Sequence, residues 1–256
     1  MHMPSMHLIV TDTREEAVNR AAGFIAGLVA QRGDPVLGLA TGRTMEDVYR
    51  ALVARHEQEG LDFSGVTSFN LDEYVGLGPE DVRSYHHYMR SLLFDRVGMP
   101  SSHTHLPDGT AHDPDAECAA YEKAIREAGG IDLQLLGIGD TGHIGFNEPP
   151  SPFDSRTRCV RLDRQTREQN AAMFGNDPDA VPDRALTMGV GTILEADSLL
   201  MLALGSAKAE IVARALEGPV GPEISASAIR LHPRCTVILD ARSASALSPQ
   251  LRAAHA

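Results

Sequence analysis

Asp140, Thr141, His143 and Glu148 fall within a few positions of one another in the stretch GIGDTGHIGFNEPP (137–150). Gly137, Gly139 and Gly142 precede the histidine, and the apolar run IDLQLL leads into it. A plain turn needs one or two such residues. Glycine permits tight backbone turning, and histidine exchanges a proton near neutral pH. A nearby carboxylate fixes the tautomer of a histidine and raises its basicity. A lone loop histidine is more often an ordinary hydrogen-bonded surface residue, so the coincidence of His143 with Glu148 is what points to a site. Pro149 and Pro150 stiffen the chain beyond Glu148.

Two other stretches carry polar residues that a structural loop does not require. In FNLDEYVGL (69–77), Asp72 and Glu73 directly follow an apolar strand. Adjacent side chains on an extended chain point to opposite sides, so the two carboxylates should not share one job. One can face a crevice as a general base with its pKa adjusted by burial; the plainer reading makes both solvated turn residues. In LATGRTMEDVY (39–49), Thr41, Gly42, Arg43 and Thr44 join a strand to a helix N-terminus. Free backbone N–H groups and the positive end of the helix dipole suit a phosphate there, although Thr44 reads equally well as a simple N-cap. His86 and His87 diverge on a helix, and His103 and His105 have no evident third ligand. Neither pair has a zinc spacing, and no nucleophile elbow or Walker loop is present. No metal or organic cofactor is expected.

The elements that must position these residues alternate. Strands are expected at 7–10, 36–41, 66–74, 131–139, 199–204 and 235–240. A helix is expected through Val18, Ala21, Ile25, Leu28 and Val29, ending before Gly33, and others from about 44 to 55, 84 to 97, 115 to 128, 165 to 173 and 206 to 216, with a T-x-x-D start at Thr44 and Asp47. This pattern predicts an α/β fold: a doubly wound, largely parallel sheet with helices on both faces, in a single domain over 1–256. Ligands of such sheets bind outside the carboxyl ends of the strands, where all three polar stretches lie.

The formal net charge of −12 argues against nucleic acid or an anionic membrane as partner. Cys118, Cys159 and Cys235 form no CxxC pair and read as small buried hydrophobes of a reducing cytosol. MHMPSMHLIV lacks a basic flank and a long apolar segment, so no signal peptide is expected and the location is read as cytoplasmic. SLLMLAL is too short to span a bilayer.

LGLATGRT, FNLDEYVGL, GIGDTGHIGFNEPP, SRTR, ALTMGVGTIL, LGSAKA and RLHPRCTVILD, taken in order, resemble the glucosamine-6-phosphate deaminase family from about Leu8 to about Asp240. GHIGFNEP separates that family from its relative, 6-phosphogluconolactonase. The resemblance implies a NagB-type fold and aldose–ketose isomerisation with loss of ammonia from an amino-sugar 6-phosphate. Asp72 matches the base that moves a proton from C2 to C1. His143 matches the residue that opens the pyranose ring, and Glu148 the carboxylate that orients it. Lys208 matches a phosphate-binding lysine, beside the loop of Thr41, Gly42, Arg43 and Thr44. The glycines of 137–142 would let their loop wrap close to the sugar. The implied partner is a small sugar phosphate, and a homo-oligomer stays open.

The chain departs from the family pattern in four places. Thr141 stands where the family has aspartate or asparagine in the histidine relay, and Asp140, one place earlier, cannot simply substitute for it. Ala172 replaces an arginine of the lid segment, while Arg43 stands where the phosphate loop usually has glycine or serine. Regulated members carry a lysine where Val160 stands and have a longer C-terminus, which argues against activation by an N-acetylated sugar phosphate. The alternatives are a deaminase for another hexosamine phosphate, a hydrolase of the 6-phosphogluconolactonase type, and a non-enzymatic sugar-phosphate sensor.

Overall fold

The structure, a computed structural model, describes residues 6–253. Its main sheet is built from β1 (His7–Thr11), β2 (Val36–Leu39), β3 (Thr67–Asn70), β5 (Thr104–His105), β6 (Leu133–Leu136), β9 (Leu199–Ala203) and β10 (Cys235–Asp240). A second sheet holds β4 (Asp72–Tyr74), β7 (Arg158–Arg161) and β8 (Arg184–Thr187). The helices are α1 (Arg14–Arg32), α2 (Arg43–Glu59), α3 (Tyr85–Leu92), α4 (Pro114–Glu127), α5 (Arg164–Asn170), α6 (Val190–Leu194), α7 (Ala209–Glu217) and α8 (Pro249–Ala253).

The main sheet runs in the order β1-β10-β9-β6-β2-β3-β5, with every pairing parallel. Helices cover both faces of such a sheet, and its central strands read as continuous apolar runs. All five residues of β9, LLMLA, are buried, and each large side chain there contributes roughly 2 kcal/mol of hydrophobic stabilisation. The chain runs from β2 outward to β3 and β5, then returns to β6 on the other side of β2 and continues to β9 and β10. The order therefore reverses between β6 and β2, which opens a crevice above their carboxyl ends. There, a Cβ on Gly137 would lie 3.3 Å from Met45 Cε in the first turn of α2.

The segment expected as one strand over 66–74 is two strands in two sheets. Leu71 is the joint: its N–H donates to Leu39 O at 3.0 Å in the main sheet, and its C=O accepts from Met188 N at 2.7 Å beyond β8. The small sheet is antiparallel, and Asp72, Thr187 and Arg158 share one row of its register. Its aromatic core contains Tyr74, Tyr85, Phe146 and Phe174. Glu122 of α4 fastens the start of this sheet, accepting from Thr157 N at 2.8 Å and Thr157 Oγ1 at 2.6 Å.

Helix starts follow their caps. Thr13 accepts from Glu16 N, and Ser84 from His87 N. α2 does not begin with Thr44 as N-cap: it begins at Arg43, after Gly42 at φ 105°, and no side chain caps it. Asp47 is drawn instead into ion pairs with Arg14 and Arg50. The helix expected to reach Val97 stops at Leu92 and gives way to a 3-10 turn, as does α5 at Asn170. Cys118 and Cys235 are buried as expected, but Cys159, on the small sheet, is only half-buried. No described helix is long and apolar enough to cross a membrane.

Candidate active site

Asp72 and Glu73 are both buried, which removes the reading of solvated turn residues. They point apart, as an extended chain requires, and their surroundings differ completely. Glu73 accepts from Tyr74 N at 2.9 Å, Tyr85 N at 3.1 Å, His86 N at 2.9 Å and His86 Nδ1 at 2.9 Å. Tyr85 and His86 open α3, so Glu73 satisfies N–H groups that a helix start leaves without partners. Its job is structural. Asp72 has no donor among the described residues. Burial, and then the charge of Glu73, push its carboxyl up to about 8. A carboxyl in that range at neutral pH both takes and returns a proton.

The loop after β6 lies across from Asp72. A Cβ on Gly145 would come within 3.4 Å of Asp72 Oδ2 and 3.0 Å of Thr187 Oγ1, so only glycine passes there without displacing a neighbour. Phe146 N donates to Thr187 Oγ1 at 3.0 Å. Asn147 Nδ2 donates to Ile144 O and Met188 O, each at 2.8 Å, and its Oδ1 accepts from Arg158 at 2.8 Å. These bonds stitch the loop of the main sheet to the small sheet that carries Asp72.

Within the loop, His143 Nδ1 lies 2.8 Å from Thr141 Oγ1 and 3.5 Å from Glu148 Oε2, and Thr141 Oγ1 donates to Glu148 Oε2 at 3.4 Å. Nδ1–H donating to Thr141, with Thr141 donating onward, leaves His143 Nε2 as the proton-accepting edge. Burial alone would raise the Glu148 carboxyl, but hydrogen bonds from His143, Thr166 and Thr141 outweigh it and hold the group below the usual carboxylate range. Glu148 therefore stays ionised beside the histidine.

The glycines of the loop also make room inside the protein. A Cβ on Gly139 would sit 2.1 Å from His143 Nε2, so this position is empty to admit the loop's own imidazole. Gly142, at φ 84°, lies under Ile224 and Ile211, where a Cβ would approach to 2.7 and 3.0 Å. Both glycines seat the histidine. Asp140 points away from it and forms an ion pair with Lys208, just before α7, which accounts for its failure to replace an acid at position 141.

On the other wall, Tyr88 Oη donates to Gly42 O at 2.8 Å, and Tyr49 donates to Ala40 O. With those carbonyls occupied and no side chain capping α2, the turn Thr41–Thr44 offers backbone N–H groups outward. Thr41 is half-buried beside Tyr85, whose hydroxyl it meets, while Arg43 is exposed. The structure thus joins Thr141, His143 and Glu148 in one loop that passes against Asp72 at Gly145, with Lys208 paired to Asp140 of the same loop and Thr41–Thr44 at the start of α2. Sequence reasoning missed Thr187, Asn147 and Thr166. Asn147 lay inside the glycine-rich motif, but nothing in the local pattern marked the two threonines. Among the described residues no three His, Cys, Asp or Glu side chains gather as a metal site.

A doubly wound sheet with a buried carboxyl against the loop of a histidine–carboxylate unit at its switch point is an arrangement that suits an α/β enzyme. Within that class the chain belongs to the glucosamine-6-phosphate isomerase/6-phosphogluconolactonase family, whose model matches residues 10–238. It is 49% identical over 239 residues to a glucosamine-6-phosphate deaminase of Bacillus velezensis, covering 93% of this chain and 99% of that one. A glucosamine-6-phosphate deaminase of Rhodopirellula baltica is 50% identical, with 93% and 94% covered. A solved monomeric glucosamine-6-phosphate deaminase superposes with a TM-score of 0.92 at 45% identity, covering 94% of this chain and all of that one. The 6-phosphogluconolactonase of Trypanosoma brucei, at 20% identity and a TM-score of 0.75, shares the fold.

Proposed function

We propose that the chain converts glucosamine 6-phosphate and water to fructose 6-phosphate and ammonia. One observation carries the reading: a buried carboxyl poised near 8, with no donor among the described residues, lies against the loop whose histidine is tied to a threonine and an ionised glutamate. The reaction needs those two devices in sequence. His143 Nε2 takes the proton of the anomeric hydroxyl and returns one to the ring oxygen, which opens the pyranose. Asp72 then removes the proton from C2, now acidified by the C1 carbonyl, and an enolamine forms. Return of that proton to C1 leaves an imine at C2, and water replaces the nitrogen as ammonia. Positioned proton transfers of this kind contribute about 10²–10⁴-fold each.

The rim serves the phosphate: the N–H groups of Thr41–Thr44 with the α2 dipole on one side, and Lys208 on the other. A hydrolase acting on a lactone would leave Asp72 without a proton to remove. The free thiols of all three cysteines accord with a cytoplasmic enzyme. The test is ammonia release over a panel of hexosamine 6-phosphates, with hydrolysis of 6-phosphogluconolactone measured alongside. Release from glucosamine 6-phosphate is expected. Release confined to another hexosamine phosphate changes the substrate, and lactone hydrolysis without ammonia overturns the reading.

A further inference from the structure

Glu148 is held from two directions. Thr141, of its own loop, meets Oε2, while the hydroxyl of Thr166 donates to Oε1. Thr166 belongs to a different part of the chain, the first turn of α5, which follows β7 of the small sheet. Its placement is unusual for a helix of this composition. α5 reads RQTREQN, and Thr166 is its one buried residue, with no exposed surface at all. Arg164, by contrast, pairs on the surface with Glu168 at 3.0 Å and Asp179 at 2.7 Å. An amphipathic helix ordinarily seats itself with an apolar stripe. Apolar anchors flank it, Leu162 before and Ala171 and Phe174 after, but within α5 itself the inward contact is the Thr166 hydroxyl on Glu148.

A threonine hydroxyl in a helix has the alternative of bonding a carbonyl one turn back. Donating to a carboxylate instead makes a charge-assisted bond, stronger than a neutral one. The bond also fixes the rotation of the carboxylate. With Oε1 held by α5, only Oε2 faces Thr141 and His143.

We propose that Thr166 is a positioning residue: the seating of α5 on Glu148 sets the orientation of His143, so that ring opening proceeds only when α5 is in place. This rests on the reading of His143 and Glu148 as the ring-opening unit. When α5 lifts, Oε1 loses its donor, Glu148 rises toward the usual carboxylate range, and the Thr141–His143 link loses its anchor. The two sheets are thereby coupled at the chemical step, because Asp72 and α5 both hang from the small sheet while His143 hangs from the main one.

The experiment compares T166V, T166S and T166C with the parent enzyme and with H143Q. Two substrates are used: glucosamine 6-phosphate and its 5-deoxy analogue, which cannot close a pyranose. T166V is expected to lower kcat on the cyclic substrate about tenfold with KM little changed, to spare the 5-deoxy analogue, and to move the acid limb of the pH profile upward. T166S keeps the donor and is expected to retain parent behaviour; T166C, a weak donor, should fall between them and covers the case in which valine impairs folding. Equal losses on both substrates, or an unshifted pH profile in T166V and T166C, overturn the proposal. If H143Q separates the substrates and the Thr166 variants do not, only the role of Thr166 fails. If H143Q does not separate them, the ring-opening reading fails and takes this inference with it.

Discussion

The floor of the crevice and its rim are built in opposite ways. On the floor, Asp72 and His143 are buried and Glu148 nearly so, and Glu148 is held by side chains of two elements, Thr141 of its own loop and Thr166 of α5. On the rim, Arg43 is exposed, and Lys208 pairs with an Asp140 whose side chain keeps 46% of its surface. Proton transfer requires fixed distances, because a misplacement of about 1 Å costs on the order of 10²-fold. A phosphate dianion is held by charge from several sides and tolerates looser partners. On the proposed function, the two departures that move a guanidinium, Ala172 and Arg43, fall among the phosphate contacts. The departure nearest the floor, Thr141, keeps a hydrogen bond to His143 and to Glu148.

The contrast is broken most directly at the floor. Asp72→Asn is expected to lower C2–H exchange with solvent deuterium by at least ~10²-fold while a 6-phosphorylated sugar alcohol still binds. Near-normal exchange would remove Asp72 from its role. The same substitution makes a stability prediction of opposite sign. Because folding raises the Asp72 carboxyl to about 8, its ionisation opposes the folded state. The native protein loses that share of stability as pH climbs from the ordinary carboxylate range through about 8, and asparagine loses none. Thermal unfolding across pH should show Asp72→Asn gaining on the parent from about pH 4 to pH 8, then running parallel to it. In the same window, kcat/KM of the parent should rise with pH, because the free enzyme must ionise its base.

His143→Gln is expected to lose roughly 10²-fold on the cyclic substrate and far less on the 5-deoxy analogue. Equal losses would place His143 in the later proton transfers. Thr141→Asp puts a second charge beside the histidine and should change the pH dependence on the cyclic substrate alone; an unchanged profile would take Thr141 out of the relay.

Rim substitutions should do less. If Arg43 stands in for the guanidinium absent at Ala172, Arg43→Gly weakens inhibition by the sugar alcohol phosphate about tenfold, the scale of one charged hydrogen bond. Adding Ala172→Arg should restore much of it. No loss in Arg43→Gly sinks the idea, and a gain would mean that Arg43 obstructs the site. Asp140→Asn frees Lys208 and should tighten the same inhibitor by about two- to fivefold, the worth of an exposed ion pair. Weaker binding there would show that Asp140 orients the lysine instead of competing with phosphate for it.

The residues themselves mark His143 and Glu148 as a candidate pair, while the choice of Asp72 rests on the family resemblance. His143 and Glu148 stood out because glycines crowded before them, and the divergence of Asp72 from Glu73 followed from strand geometry. What stayed hidden was non-local. No pattern in LTMG or DRQT announces that Thr187 and Thr166 turn inward, because a threonine hydroxyl is identified only by the partner that it finds. The small sheet was missed for a related reason: β7 and β8 are four residues each and depend on antiparallel partners far away in the chain. Gly139 has a second reason to be glycine that no local pattern shows. Its empty side is filled by an imidazole four residues on, a contact that exists only once the loop has folded back.

Leu71 extends the comparison to motion. Its N–H belongs to one sheet and its C=O to the other. The amides of Leu71 and Met188 therefore exchange when the seam between the two sheets parts, an opening that must break buried bonds on both sides of Leu71. The amides of α5, a helix with one buried side chain, should exchange orders of magnitude sooner. The proposed base, Asp72, thus lies beside a buried seam, and the helix that meets Glu148 in a part expected to open sooner.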